Sequence, residues 1–592
     1  MKILLAAINA KYIHSSLAVH SLCMYAKEYL KDARIQIDVA EYTINQQTDD
    51  ILKDIYRRRP DKLCFSCYIW NIAYVEMVIK EIKKLLPGTD IWVGGPEVSY
   101  DAEAVLERLP QIKGVMKGEG EETFADICKA YADIECAPAE VRNPKSAGKP
   151  ELEEIDETLT DIRGITFRRC DGEIIANLWR EPMELDKAPF VYEDIEKFKN
   201  KIIYYETSRG CPFSCSYCLS SVDKRLRFRS LELVKPELQF FIDHKVPQVK
   251  FVDRTFNCRH EHAMEIWRYI AEHDNGITNF HFEIAADLLN EEELALIETM
   301  RPGLIQLEIG VQSTNSDTIR EIRRTMKFEE VSEHVNRIKK RGNIHQHLDL
   351  IAGLPYENLE SFAKSFDDVY ALRPEQLQLG FLKVLKGSYM EESREKYGLI
   401  CKDVPPYEVL YTKWLSYGDV LELKGIEEMV EVYYNSGQFE HTIEELGKEY
   451  VSAYELYRDL WRYYEEHDYL EIQHKRSARY EILLEFVRQN MPEKSDYIQE
   501  LLTYDYYLRE NAKTRPEFAG EYKVEKEFLH HFYEEEAVTH KYLPSYVTYD
   551  KNQMRKMTHI EYLPISGKWI LFDYMNRNPL NRQARTCMIE RG

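Results

Sequence analysis

Nowhere in the 592 residues does a stretch approach the roughly 20 consecutive apolar residues that cross a bilayer. That absence removes helical membrane proteins from consideration. A secretory leader is not expected either: the run Met1 to Ile8 is apolar but short, and Asn9 to Tyr12 read as the loop after a buried strand. The expected location is therefore cytoplasmic. Cysteine is too sparse for a disulfide scaffold, with 12 in a long chain and most of them isolated. Positive charge is in deficit, 79 Lys and Arg against 102 Asp and Glu, for a net −23. Long-range repulsion of a polyanion argues against non-specific nucleic-acid binding. One basic run, Lys224-Arg225-Leu226-Arg227-Phe228-Arg229, stands against that balance. It reads either as a salt-bridged face or as cations facing a cofactor carboxylate or substrate phosphates.

What is present is an ordinary globular composition, 44% hydrophobic and 31% charged, in a chain long enough for several domains. Residues 1–135 alternate buried strands (Lys2 to Ile8, Ile35 to Ala40, Lys62 to Ser66, Asp90 to Val93, Gly114 to Lys117) with amphipathic helices. Such alternation predicts an α/β doubly wound, Rossmann-like parallel sheet with its ligand site at the carboxyl ends of the strands. Residues 136–185 read as a linker followed by a small hairpin around Asp171-Gly172, leading into the next domain. Over 186–400 the alternation resumes, with strands at Ile202–Glu206, Gln248–Val252, His281–Ile284, Leu304–Ile309, His347–Ile351 and Gln376–Phe381. Six such repeats predict a partial (β/α)6 barrel. Residues 401–592 turn to long helical patterns rich in Tyr, Glu and Lys, a mainly helical domain whose aromatics read as packing.

The chemistry sits after the first barrel strand, in Thr207-Ser208-Arg209-Gly210-Cys211-Pro212-Phe213-Ser214-Cys215-Ser216-Tyr217-Cys218. Three thiolates spaced Cys-x3-Cys-x2-Cys in one loop can ligate three irons of a cubane cluster and leave the fourth iron open. The competing reading is structural zinc, which needs a fourth ligand such as Cys258 or His260. The loop leaves the strand where a barrel carries its active site.

On this motif the sequence resembles the radical S-adenosylmethionine (SAM) superfamily. The resemblance implies a [4Fe–4S] cluster on Cys211, Cys215 and Cys218, with SAM held by its amine and carboxylate at the open iron. It also implies reductive cleavage of SAM to a 5′-deoxyadenosyl radical, and Tyr217 fits the aromatic before the last cysteine. Asp253, at the end of strand two, is the candidate contact to the cofactor amine, although the superfamily's Gly-Gly-Glu is absent. Glu283 on strand three, with Glu308 and Gln312 on strand four, match positions that line SAM. Asp349 to Pro355 resembles the fifth-strand turn near the adenine.

The first domain resembles the cobalamin-binding domain that precedes the radical domain in one large subgroup. Ser66 after the third strand and Gly94-Gly95 after the fourth match turns that meet the nucleotide tail, and Gly118-Glu119-Gly120-Glu121 follows the fifth. The Asp-x-His-x-x-Gly motif that supplies a cobalt ligand elsewhere is missing. His14, in the loop after strand one, stands in a comparable place without that spacing. Cys64 and Cys67 read as buried filler.

By this resemblance the chain is a cobalamin-dependent radical SAM enzyme that transfers a methyl group to an unactivated carbon. One SAM methylates reduced cobalamin and a second supplies the radical. Two alternatives remain: a rearrangement or cyclisation without methyl transfer, and a sensor that binds cobalamin or the cluster. The substrate is unspecified. An electron donor such as a flavodoxin or ferredoxin is implied.

Overall fold

The computed structural model describes residues 1–31, 34–135, 151–222, 224–470, 472–522 and 524–590. The linker expected at 136–150 lies outside the described residues. The chain divides into two compact units. The first comprises Met1–Leu296, Ile319–Met326 and Phe381–Lys413, and the second Ile297–Thr318, Lys327–Gly380 and Trp414–Gly592.

The first unit opens with β1 (Lys2–Asn9), β2 (Gln36–Thr43), β3 (Lys62–Ser66), β4 (Asp90–Gly94) and β5 (Gly114–Met116). All five run parallel, in the order β2-β1-β3-β4-β5. β1 is apolar along nearly its whole length because helices cover both faces of the sheet. Leu4, Ala6 and Ile8 join Phe65, Val75 and Ile79 in one core, whereas Ile3, Leu5 and Ala7 join Cys64 and Trp92 in the other. That division is the two-residue period of a strand. The chain passes from β1 to β2 on one side and then crosses to β3 on the other, so the loops after β1 and β3 flank the point where ligands bind in such sheets.

The hairpin read around Asp171-Gly172 forms as β6 (Ile165–Arg168) and β7 (Ile174–Ala176). It extends the first sheet instead of leading out of it, because β6 pairs antiparallel with β5, Gly114 opposite Phe167.

The barrel strands follow. In the first unit β8 (Ile203–Tyr205) is succeeded by a short antiparallel pair, β9 (Ser208–Arg209) with β10 (Arg227–Phe228). β11 (Gln248–Phe251) then pairs parallel with β8, and β12 (Asn279–Ile284) with β11. The second unit holds β13 (Ile305–Gln312), β14 (His345–Ala352) and β15 (Gln376–Phe381), with β13 and β14 parallel. The six strands are those of the expected partial barrel, alternating with helices such as Leu231–Asp243, His260–Glu272, Phe328–Arg341 and Leu359–Tyr370.

Beyond the barrel the second unit is mainly helical, with Tyr417–Val430, Ala453–Glu466, Arg476–Asn490 and Ser495–Arg509 among its helices, and ends in a three-stranded antiparallel sheet. Many of its tyrosines are core. Tyr457, Tyr464, Tyr480 and Tyr507 are fully buried, and the Tyr433 and Tyr464 hydroxyls lie 2.7 Å apart, satisfying each other's polar tip. Among the described residues no helix is long and apolar enough to cross a membrane.

Candidate functional site

The cysteine loop is anchored at its root by Asp253. The Thr207 N–H and hydroxyl and the Ser208 hydroxyl all donate to its carboxylate, at 3.0, 2.7 and 2.6 Å. Asp253 is 1% exposed, and burial pushes its carboxyl up to about 6. The residue read as a cofactor contact thus has both oxygens engaged in holding the loop. Next comes Gly210, at φ +93°, where an added Cβ would stand 2.5 Å from the Arg225 carbonyl oxygen. Only glycine fits that turn into Cys211.

Cys211 and Cys215 are buried and Cys218 is partly exposed. Burial raises the Cys215 thiol, while the Arg324 guanidinium opposes it, with Nη1 3.7 Å from Sγ and 3.5 Å from the Tyr217 hydroxyl. The loop backbone is held on both sides of Ser216: its N–H donates to Ile322 and its carbonyl accepts from Met390, each at 2.9 Å. Sequence reasoning missed Arg324, for which the only signal was the Arg323-Arg324 pair after a short helix. His260, one fourth ligand of the zinc reading, is turned elsewhere, with Nδ1 3.3 Å from the buried Glu293.

The three arginines of the basic run are ion-paired. Arg229 binds Glu237 at 2.6 Å and donates to the Leu185 and Ala188 carbonyls, Arg227 pairs with Glu119, and Arg225 with Glu181. Arg209 sits among three carboxylates, Glu121 at 2.6 Å, Glu206 at 2.8 Å and Glu119 at 3.4 Å. Glu119 lies in the turn after β5 and Glu121 opens the helix that follows, so these arginines tie the first sheet to the start of the cysteine loop.

Within the first unit a mostly apolar cavity of about 840 Å³ lies against both. His14, Ser66, Gly94 and Gly95 line one side, at the carboxyl ends of β1, β3 and β4, and Glu206, Arg209 and Gly210 line another. The structure therefore brings together four residues read from the first domain and the approach to the cysteines. Gly95 has φ +114°, and a Cβ there would meet the Cys67 carbonyl oxygen at 2.5 Å. Its absence lets the turns after β3 and β4 nest, with the Cys67 N–H donating to Gly94 O at 2.7 Å. Cys64 and Cys67 are buried inside this packing. Burial pushes the Cys64 thiol up to about 12 and Cys67 higher still, which suits inert filler. The His14 ring bonds the Tyr204 hydroxyl through Nδ1, and burial followed by the charges of Lys11, Lys250 and Lys201 lowers its pKa.

Glu283 lies on β12 in the first unit. Glu308 and Gln312 lie on β13 in the second, where Glu308, His347 and Asp349 bring one ligand atom each within 4.8 Å of one another. Gln312 takes φ +72° where the ladder to β14 shifts register.

Comparison with known families matches residues 4–128 to the B12 binding domain, 205–369 to the radical SAM superfamily, and 395–581 to a protein family of unknown function (DUF4080). The chain carries a B12-binding domain and a radical SAM domain. Those domains imply cobalamin, a [4Fe–4S] cluster and SAM as its cofactors. The chain is 26% identical over 361 residues to the cobalamin-dependent radical SAM methyltransferase TokK of Streptomyces tokunonensis, covering 57% of this chain and 50% of TokK. It is 26% identical over 317 residues to the 2-(S-pantetheinyl)-carbapenam-3-carboxylate methyltransferase of Streptantibioticus cattleyicolor, covering 51% of this chain and 44% of that enzyme. The chain thus spans about half the length of these curated relatives. Among solved structures, the cobalamin-dependent SAM radical enzyme OxsB with aqua-cobalamin and SAM bound superposes with a TM-score of 0.56 at 16% identity, over 85% of this chain and 78% of OxsB. That likeness is one of fold.

The residues present fit these groups. Three thiols crowd one loop, with Cys215 influenced by both Cys211 and Cys218, and thiolates are the ligands such clusters take. The cavity is broad, mainly apolar and bordered by glycine turns, as a flat macrocycle with a long tail requires.

Proposed function

We propose that the chain is a cobalamin-dependent radical SAM methyltransferase acting on an unactivated carbon of a substrate yet to be identified. The cluster supplies the electron that cleaves SAM to a 5′-deoxyadenosyl radical, and cobalamin supplies the methyl group. In this reading Cys211, Cys215 and Cys218 ligate the cluster. His14, Ser66, Gly94 and Gly95 hold the corrinoid in the cavity, and Glu283 contacts SAM. Asp253 keeps the loop root in place through Thr207 and Ser208. Arg324 balances thiolate charge at Cys215. The work of the protein is to hold two reactive groups in one frame and keep water from them.

One observation carries the reading: a single cavity is bordered both by the turns after β1, β3 and β4 and by the residues that lead into Cys211. A flavodoxin or ferredoxin is the proposed electron donor, and the cytoplasm the proposed location.

The test is anaerobic reconstitution with iron, sulfide and cobalamin, followed by optical and electron paramagnetic resonance (EPR) spectra. Wild type should show a cluster signal and retained corrinoid absorbance, and a Cys211→Ala/Cys215→Ala/Cys218→Ala variant should lose the cluster signal. With added SAM and strong reductant, wild type should release 5′-deoxyadenosine and, by methylating cobalamin, S-adenosylhomocysteine. A cluster without corrinoid would remove methyl transfer, and no cysteine-dependent cluster would remove the radical reading altogether.

A further inference from the structure

The loop after β1 is held far more firmly than an ordinary surface turn. The His14 carbonyl accepts from Asn9 Nδ2 and from Lys201 Nζ, each at 3.1 Å. On its two sides, Ile202 N–H donates to Ile13 O at 2.8 Å and the Ser15 hydroxyl to Ile202 O at 3.0 Å. Glu41 accepts the Ser16 N–H at 2.6 Å. The backbone of His14 is therefore fixed both by its own sheet and by the segment entering β8.

The ring is fixed as well. Its Nδ1 shares a hydrogen bond with the Tyr204 hydroxyl, and the two rings stack with an interplanar angle of 27°. Tyr204 is itself rigid: the buried Tyr192 hydroxyl binds both its N–H and its carbonyl, and Tyr192 packs against Phe198 and Phe241. Both His14 and Tyr204 line the cavity. Among the described residues no hydrogen bond engages His14 Nε2.

An imidazole that ligates a metal through one nitrogen characteristically has its other nitrogen engaged by an oxygen partner, which sets ring orientation and tautomer. This chain lacks the carboxylate that an Asp-x-His-x-x-Gly motif would provide, yet a partner oxygen is present on the first barrel strand. We infer that Tyr204 is a positioning residue that selects His14 Nε2 as an axial ligand of cobalt. The inference rests on the proposal that cobalamin occupies this cavity. It makes cobalt coordination dependent on a residue of the radical domain, two positions before Glu206 and seven before Cys211.

The experiment uses full-length protein grown with 15N-histidine and loaded with cob(II)alamin, read by EPR. A protein 15N ligand splits the cobalt lines into doublets, whereas the cofactor's own dimethylbenzimidazole, being 14N, gives triplets. We expect doublets in wild type and their loss in His14→Ala. Tyr204→Phe should retain corrinoid by its optical spectrum but lose or weaken the doublets. A merely structural Tyr204 would lower corrinoid occupancy while leaving the doublets of the bound fraction unchanged, and that result would overturn its positioning role. Bound corrinoid without doublets in wild type would overturn the ligand assignment and leave the cobalamin proposal standing. Failure of wild type to retain any corrinoid would overturn both.

Discussion

Arg209 Nη2 lies 2.6 Å from Glu121 Oε1, a pair buried where the first sheet meets the cysteine loop. Burial alone would raise the Glu121 carboxyl, but Arg209 more than offsets it and the pKa falls below the ordinary range. Arg209→Ala would leave the buried Glu121 and the half-buried Glu206 without their cation, and removing one partner of a buried pair costs about 3–5 kcal/mol. Chemical denaturation of the variant should show that loss. Adding Glu121→Gln should recover part of it, since the uncompensated charge goes too. A Glu121→Gln change that recovers nothing would mean the pair is not the source.

Arg324 places a positive charge beside the proposed cluster. Reduction adds negative charge there, so losing the guanidinium should make reduction harder. Arg324→Gln is expected to lower the cluster midpoint potential by about 100 mV, the scale of one charge several ångströms away at an effective dielectric constant near 20. Arg324→Lys should restore most of it. A potentiometric titration followed by EPR decides the matter, and an unchanged midpoint in Arg324→Gln would exclude the effect.

Gly210→Ala tests the turn into Cys211. The positive φ and the Arg225 carbonyl leave no place for a methyl group, so β9 and β10 must separate locally. The variant should keep its far-ultraviolet circular dichroism but bind iron and sulfide substoichiometrically after reconstitution. Full iron content would show that the loop tolerates the shift.

Glu357 should report pH through the second unit. It is fully buried, accepts the Ser313 hydroxyl at 2.6 Å and the Ser365 hydroxyl at 3.0 Å, and burial pushes its carboxyl up to about 7. The folded unit then holds this proton more tightly than the unfolded chain does. Its stability is full below the unfolded pKa of about 4.3 and declines as pH rises toward 7, by about 3 kcal/mol in all. Glu357→Gln should flatten that slope. Hydrogen exchange of peptides spanning 357–365, measured from pH 5 to pH 7.5 and corrected for intrinsic rates, checks it.

Much of this was legible in the sequence because it follows from short-range rules. β1 reads as a doubly covered strand from its uninterrupted apolar run, and the Cys-x3-Cys-x2-Cys spacing lies wholly within one loop. The helix Thr48–Arg58 went unread although it is strongly amphipathic, because its composition is mostly charged and only Ile51 and Ile55 are buried. Arg324 and Tyr204 were not legible, since each meets its partner across more than a hundred residues and neither stands in a motif. Asp253 was read at the right strand end, but its bonds to Thr207 and Ser208 emerge only when β8 and β11 lie side by side.

The antiparallel hairpin on β5 bears on how this chain can be divided. β5 is three residues long, and its outer edge is covered only because β6 pairs with it. A fragment ended at residue 135 would carry a bare strand edge, open to pairing with any other such edge and thus to self-association. The corrinoid-binding half therefore becomes a manageable piece only when it runs through Asn177, whose side chain ties the hairpin to the Leu159 and Ile162 carbonyls.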